Sequence, residues 1–207
     1  MRRFLLLVHR VPPDGDFSLN DLANGGGRMD EVAQAVVSAF LTSGDIRRDT
    51  VVELLFVRDP GGVRRVELLG SGLRYLNPDE RSTAALIKNA LARYAGRPGR
   101  PIEASPGVRV GPGSLPEDLE TFLRNPGALW LEERGEPLRS RALGTEVAAV
   151  LGDVFDPDPT ERAILERSGV PRVSVGPRPL RASQCVIVLQ NELDLREAGP
   201  RPGDTPG

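Results

Sequence analysis

Pro171-Arg172-Val173-Ser174-Val175-Gly176-Pro177-Arg178-Pro179-Leu180-Arg181-Ala182-Ser183-Gln184-Cys185 divides into three pieces. Pro171 to Val175 is a short apolar run that predicts a buried strand. The Gly and Pro residues that follow forbid a regular element and predict a loop. From Ala182 to Leu195, the residues Cys185, Val188, Leu189 and Glu192 mark the turns of a last helix. In an α/β protein such a loop lies at the carboxyl end of a strand, where backbone amides and carbonyls can face a flat heterocycle such as adenine. An ordinary connection, with Cys185 as a small buried hydrophobe, would use the same residues.

Toward the N-terminus the pattern repeats. Asp158, Pro159 and Glu161 open a helix that Gly169 closes, and strands are expected at Glu146 to Leu151 and Ala128 to Glu132. Ser114 and Glu117 read as a capping box for a short helix near Leu119 to Leu123, after a Gly/Pro-rich connection from Gly96 to Gly113. Asn77, Pro78 and Glu80 start another helix, with Ala84, Ile87, Leu91 and Tyr94 on its core face. Thr50 to Val57 and Val63 to Leu69 are strands joined by a turn at Asp59-Pro60-Gly61-Gly62. Met29, Val32, Ala33, Val36, Val37 and Phe40 recur at helical spacing up to Ser43-Gly44, and Phe4 to Val8 is a first buried strand. Alternating strands and helices predict an α/β fold with a largely parallel sheet and helices on both faces. Residues 1–195 form one domain in this reading, and 196–207 a disordered Pro/Gly-rich tail.

Composition narrows the functions. The 207 residues carry a net charge of −2, which argues against a uniformly basic nucleic-acid coat, so any RNA contact must be local. A single cysteine and a single histidine exclude an internal disulfide framework and leave no zinc cluster or other metal site. No apolar run is long enough to span a bilayer, and the Met1 to Val8 stretch stops at His9-Arg10 without a cleavage site, so the expectation is a cytoplasmic protein. With His9 alone beside the first strand, no nucleophile and base pair can be assembled.

Besides the loop already described, three segments could carry chemistry. Gly25-Gly26-Gly27-Arg28-Met29-Asp30 places glycines before a helix start that can receive an anion, although a flexible cap explains it equally. Asp45-Ile46-Arg47-Arg48-Asp49 offers adjacent arginines for a phosphate, or surface ion pairs. Asn77-Pro78-Asp79-Glu80-Arg81 is mostly helix capping, with Asp79 and Arg81 left over.

In this order, and together with Ser105-Pro106-Gly107-Val108, the four segments resemble the archaeal-type tRNA (pseudouridine-54 N1)-methyltransferase family of the SPOUT class over most of residues 1–195. The resemblance implies a SPOUT-type fold with a C-terminal trefoil knot, a homodimer, S-adenosyl-L-methionine as cofactor and tRNA or another structured RNA as substrate. It further implies cofactor contacts from Leu131, Gly152, Val175, Gly176, Pro177, Arg178, Pro179, Leu180 and Cys185, and RNA contacts from Arg28, Arg47, Arg48 and Arg81. Asp30 or Asp79 could take a proton from the base or simply orient an arginine. The chain departs from the family pattern at Gly152-Asp153-Val154-Phe155-Asp156 and Arg181-Ala182-Ser183-Gln184-Cys185, where histidines are missing. Methylation of rRNA or of another nucleotide position, and an RNA- or cofactor-binding dimer without catalysis, are the alternative readings.

Overall fold

The computed structural model describes residues 1–57, 62–95 and 99–199. At its centre lies β1 (Arg2–Val8), whose run Phe4-Leu5-Leu6-Leu7-Val8 is at most 1% exposed. A strand apolar at every position has to be covered on both faces, and its alternate side chains supply two cores. Phe4, Leu6 and Val8 pack with helices α1 (Met29–Phe40), α2 (Glu80–Ala95) and α5 (Ala182–Ala198). Leu5 and Leu7 pack with α3 (Leu115–Leu123) and α4 (Pro159–Ser168).

Around β1 the sheet runs β4-β5-β3-β2-β1-β7-β6-β8, where β2 is Thr50–Phe56, β3 Arg64–Leu69, β4 Ile102–Ser105, β5 Val108–Pro112, β6 Ala128–Pro137, β7 Val147–Gly152 and β8 Arg172–Ser174. β2, β1, β7, β6 and β8 are mutually parallel. β3, β5 and β4 add an antiparallel wing. The parallel strands therefore all end on one side of the molecule, the side on which an α/β sheet receives ligands.

Several local expectations are corrected. The connection expected from Gly96 to Gly113 contains the β4–β5 hairpin, because Ile102, Val108 and Val110 find cover that a Gly/Pro count cannot reveal. Residues 96–98 and 58–61, the latter holding most of the expected Asp59 to Gly62 turn, lie outside the described residues. The cap of α2 is Asp79, whose Oδ1 accepts from Ser82 N at 2.8 Å, while Asn77 contributes only its carbonyl, to Thr83. At α3 the carboxylate of Asp118, not Glu117, bonds the Ser114 amide. α4 has the full expected box of Asp158 and Glu161, and Gly169 closes it in a left-handed conformation. α1 ends at Phe40, before Ser43-Gly44, and Val37 is not fully buried. α5 runs past the expected helix end at Leu195 to Ala198; residues 200–207 lie outside the described residues.

The extra turn of α5 has a clear cause. Arg2, only 4% exposed, donates to Gln190 Oε1 at 2.7 Å, Asp194 Oδ1 at 2.6 Å and Glu197 Oε2 at 2.7 Å. A buried guanidinium needs several acceptors at once, and the end of α5 supplies them. No helix among the described residues is long and apolar enough to cross a membrane.

Candidate active site

A cleft of about 800 Å³ opens where β7 and β8 end, beside the middle of β6. Leu131 lines it from within β6 and Gly152 from the end of β7, and the loop between β8 and α5 forms another wall with Val175, Gly176, Arg178, Pro179 and Leu180; Cys185 lines it from the first turn of α5. Of the expected cofactor contacts only Pro177 lies outside the lining. Burial pushes the Cys185 thiol up to about 11, which keeps it a neutral, polarizable wall group.

The segment after β7 is held by its own short network. Asp153 receives the amide of His9 on Oδ2 (2.9 Å) and that of Phe155 on Oδ1 (3.0 Å). His9 Nδ1 lies 2.9 Å from Asp153 Oδ1, and Nε2 lies 2.9 Å from Glu161 Oε2. Burial works against a charge on His9, but hydrogen bonds and attraction from Asp153 and Glu161 outweigh it and raise the imidazole from 6.5 to about 10. His9 is thus an imidazolium near neutrality, a clamp between β1 and α4 and not a base. The sequence could not show this, because its partners stand 144 and 152 positions away.

Across the cleft, Arg28 adopts φ 69, the only left-handed non-glycine conformation among the described residues. Its guanidinium bonds Asp30 through Nε and Nη2 at 3.0 Å, and Glu31 at 2.7 Å. Glu31, 3% exposed, also attracts Arg181 at 3.4 Å and leaves Oε2 without a partner, as Glu132 leaves its own Oε2. Glu31, Glu132, Asp153 and Asp156 all line the cleft, so it presents carboxylates as well as arginines. Glu31 escaped the sequence reading because an isolated Glu in a helical pattern reads as a solvated position, while Arg181 stood in the loop without an assigned contact.

The other expected residues are scattered. Arg47 is engaged with Asp194 of α5 at 2.8 Å. Arg48 lies just before β2, at the opposite end of the sheet from the cleft, and donates to the carbonyls of Gly70 and Leu73. Arg81 bonds Leu19 O and Asn20 Oδ1, tying α2 to the loop that ends at Arg28. Asp30 orients Arg28, and backbone amides that hold Asp79 as a helix cap keep its carboxyl below the usual range. Within one chain, only Arg28 and its companion Asp30 stand beside the cleft residues.

The sheet, its covered faces and the cleft define an α/β protein with a cleft on the side where such sheets receive ligands. Residues 1–198 match the family described as "Putative SAM-dependent RNA methyltransferase". The tRNA (pseudouridine(54)-N(1))-methyltransferase of Methanococcoides burtonii is 36% identical over 202 residues, 96% of this chain and 98% of that one. The protein of the same name from Natronomonas pharaonis is 40% identical over 196 residues, 94% of this chain and 96% of that one. Among solved structures, Archaeoglobus fulgidus Nep1 bound to S-adenosylhomocysteine superposes with a TM-score of 0.62 at 13% identity, over 96% of this chain and 99% of that chain, which shows a shared fold. The chain belongs to the archaeal-type tRNA (pseudouridine-54 N1)-methyltransferase family.

Proposed function

We propose that this protein transfers a methyl group from S-adenosylmethionine to N1 of a pseudouridine in the T-loop of tRNA. The carrying observation is that a cleft at the strand ends gathers eight of the nine expected cofactor contacts in a chain that matches its relatives almost end to end. S-adenosylmethionine supplies an electrophilic methyl carbon on a sulfonium centre. The residues fit such a ligand: among the carboxylates and arginines of the lining, Glu31 and Glu132 each carry a buried carboxylate oxygen in want of a donor, which a cationic ligand can face. The loop from Val175 to Leu180 offers mainly backbone to a flat purine, and the Cys185 thiol packs without charge.

In this reading the chain contributes chiefly position. Pseudouridine N1 attacks the methyl carbon, the carbon–sulfur bond breaks with its electron pair going to sulfur, and the N1 proton departs to water. Asp30 orients Arg28 and Asp79 caps α2, so each has a role other than proton acceptor. Arg28→Ala is expected to leave cofactor affinity near wild type and to raise the KM for RNA several-fold; an unchanged KM in steady-state assays would remove Arg28 from the substrate side.

The finer architecture belongs to the same proposal. A C-terminal trefoil knot is supported by the lacing of the last elements to residues 132–146: Arg196 donates to the carbonyls of Arg141 and Leu138, and a side chain at Gly135 would collide with Val173 N at 2.5 Å. A homodimer is supported by apolar surface along α5 and its leading loop, where Leu180, Ile187 and Leu195 are 36%, 54% and 45% exposed. A tRNA substrate supports a cytoplasmic location.

The test is nucleoside mass spectrometry of matched tRNA transcripts, one with pseudouridine in the T-loop and one with uridine, after incubation with enzyme and S-adenosylmethionine. The expected outcome is 1-methylpseudouridine in the modified transcript alone; methylation of neither would overturn the assignment.

A further inference from the structure

A second concavity, of about 560 Å³, lies far from the cleft and has no part in the mechanism. It sits beside Arg48 at the start of β2, whereas the cleft opens where the parallel strand β7 ends, and a length equal to that of β2 separates the two levels by about 20 Å at 3.3 Å per residue. Its floor is rigid. After β3 the chain turns tightly, with Gly72 N and Leu73 N both donating to Leu69 O, and Gly107 (φ 75) lies so close that a side chain there would meet Leu73 N at 2.4 Å. Leu73 is buried at 2% exposure and anchors the turn. Two residues on, Tyr75 projects with 85% of its surface exposed, far more than any other large hydrophobic residue among those described.

Two arginines line the same concavity as this ring. Arg74 adjoins it, and Arg48 is pinned beside the turn by Nη1 bonds to Leu73 O (2.6 Å) and Gly70 O (3.1 Å), with half of its side chain still exposed. Asp45, itself 77% exposed, stands only at 3.8 Å from Arg48, a weak surface pairing. Glu103 closes the far wall, with Oε1 facing the Gly107 amide at 3.4 Å. An exposed aromatic plane on a fixed turn, with guanidinium groups beside it, has the parts of a platform for one unstacked nucleotide: π-surface for the base and planar cations for its phosphate.

The geometry points to Tyr75, Arg74 and Arg48 as a second RNA-docking site that holds an unstacked nucleotide of the substrate RNA by stacking on the Tyr75 ring and by phosphate contacts to the arginines. The inference rests on an RNA substrate. A small metabolite could fill either concavity alone, whereas an RNA is long enough to reach both, so the site would contribute affinity and register for the whole substrate while the chemistry stays in the cleft.

The test measures equilibrium binding of labelled tRNA by filter retention for wild type, Tyr75→Ala and Tyr75→Phe, with cofactor affinity by calorimetry and molecular mass by sedimentation on the same samples. Tyr75→Ala is expected to weaken tRNA binding by roughly 5- to 100-fold, the range of one lost base–aromatic stack. Tyr75→Phe keeps the plane and should bind like wild type, and cofactor affinity and mass should not move. Unchanged tRNA binding by Tyr75→Ala overturns the site, and a changed molecular mass overturns it in favour of a protein–protein contact. Because binding is read without methyl transfer, failure of the pseudouridine assignment would show in the mass-spectrometric assay and leave this result readable.

Discussion

His9 shows how much a single side chain can be asked to hold. It bridges Asp153 and Glu161, and its folded pKa of about 10 lies above the ordinary 6.5. The folded state therefore binds one more proton than the unfolded chain between those values, and the resulting stabilisation is complete below pH 6.5 and lost as pH rises toward 10. Between pH 6.5 and 9, unfolding free energy from urea titrations is expected to fall by about 1 kcal/mol per pH unit, and His9→Gln should flatten that slope. A wild-type slope near zero would mean that the clamp is not charged. Gly176 offers a second residue-scale experiment. A Cβ there would have nothing nearer than Leu180 Cδ1 at 3.8 Å, so the backbone tolerates a side chain and added bulk goes into the cleft. Gly176→Trp is expected to fold with wild-type thermal stability and to lose cofactor binding at least tenfold by calorimetry; retained affinity would put the adenosine elsewhere. The cleft loop was legible in the sequence because Gly, Pro and a following helix announce a strand-end loop by local chemistry alone. The clamp was not, since nothing near His9 in sequence distinguishes it from a solvated histidine.

Among the elements, α5 is held as much by charge as by packing. Asp194 accepts from Arg2 and Arg47; burial works against its charge, but these two guanidinium groups hold its carboxyl below the usual range. Asp194→Asn should cost on the order of 1 to 2 kcal/mol by thermal unfolding, a value discounted for a carboxylate that is 38% exposed. Arg47→Ala should cost a similar amount and leave RNA affinity unchanged, which would move Arg47 from the substrate-side residues to the structural ones. Element existence was largely readable because apolar periodicity and caps are local: Asp158, Glu161 and Gly169 bound α4 as expected. The β4–β5 hairpin was not, because its strands are short and owe their order to β3, a non-local partner. The last turn of α5 was likewise invisible, being ordered by Arg2 from the other end of the chain.

At the scale of the whole molecule, the exposed apolar residues on α5 predict association. If two copies meet there, Ile187→Asp should convert a dimer to a monomer in sedimentation velocity, and a mass independent of this substitution would place the interface elsewhere. The sheet order could not be read from the sequence, since hydrophobic runs say that β1 and β7 are buried but not that they are neighbours. That neighbourhood has a consequence for the order of events during synthesis. β1 leaves the ribosome some 145 residues before its partner β7 and about 190 before the anchors for Arg2 on α5. Until then one edge of β1 and a bare guanidinium wait for cover, and such long-range closure is slow. The cleft takes its walls from residues as far along the chain as Cys185 at the start of α5, so ligand capture by a nascent chain would report that translation has passed that helix start.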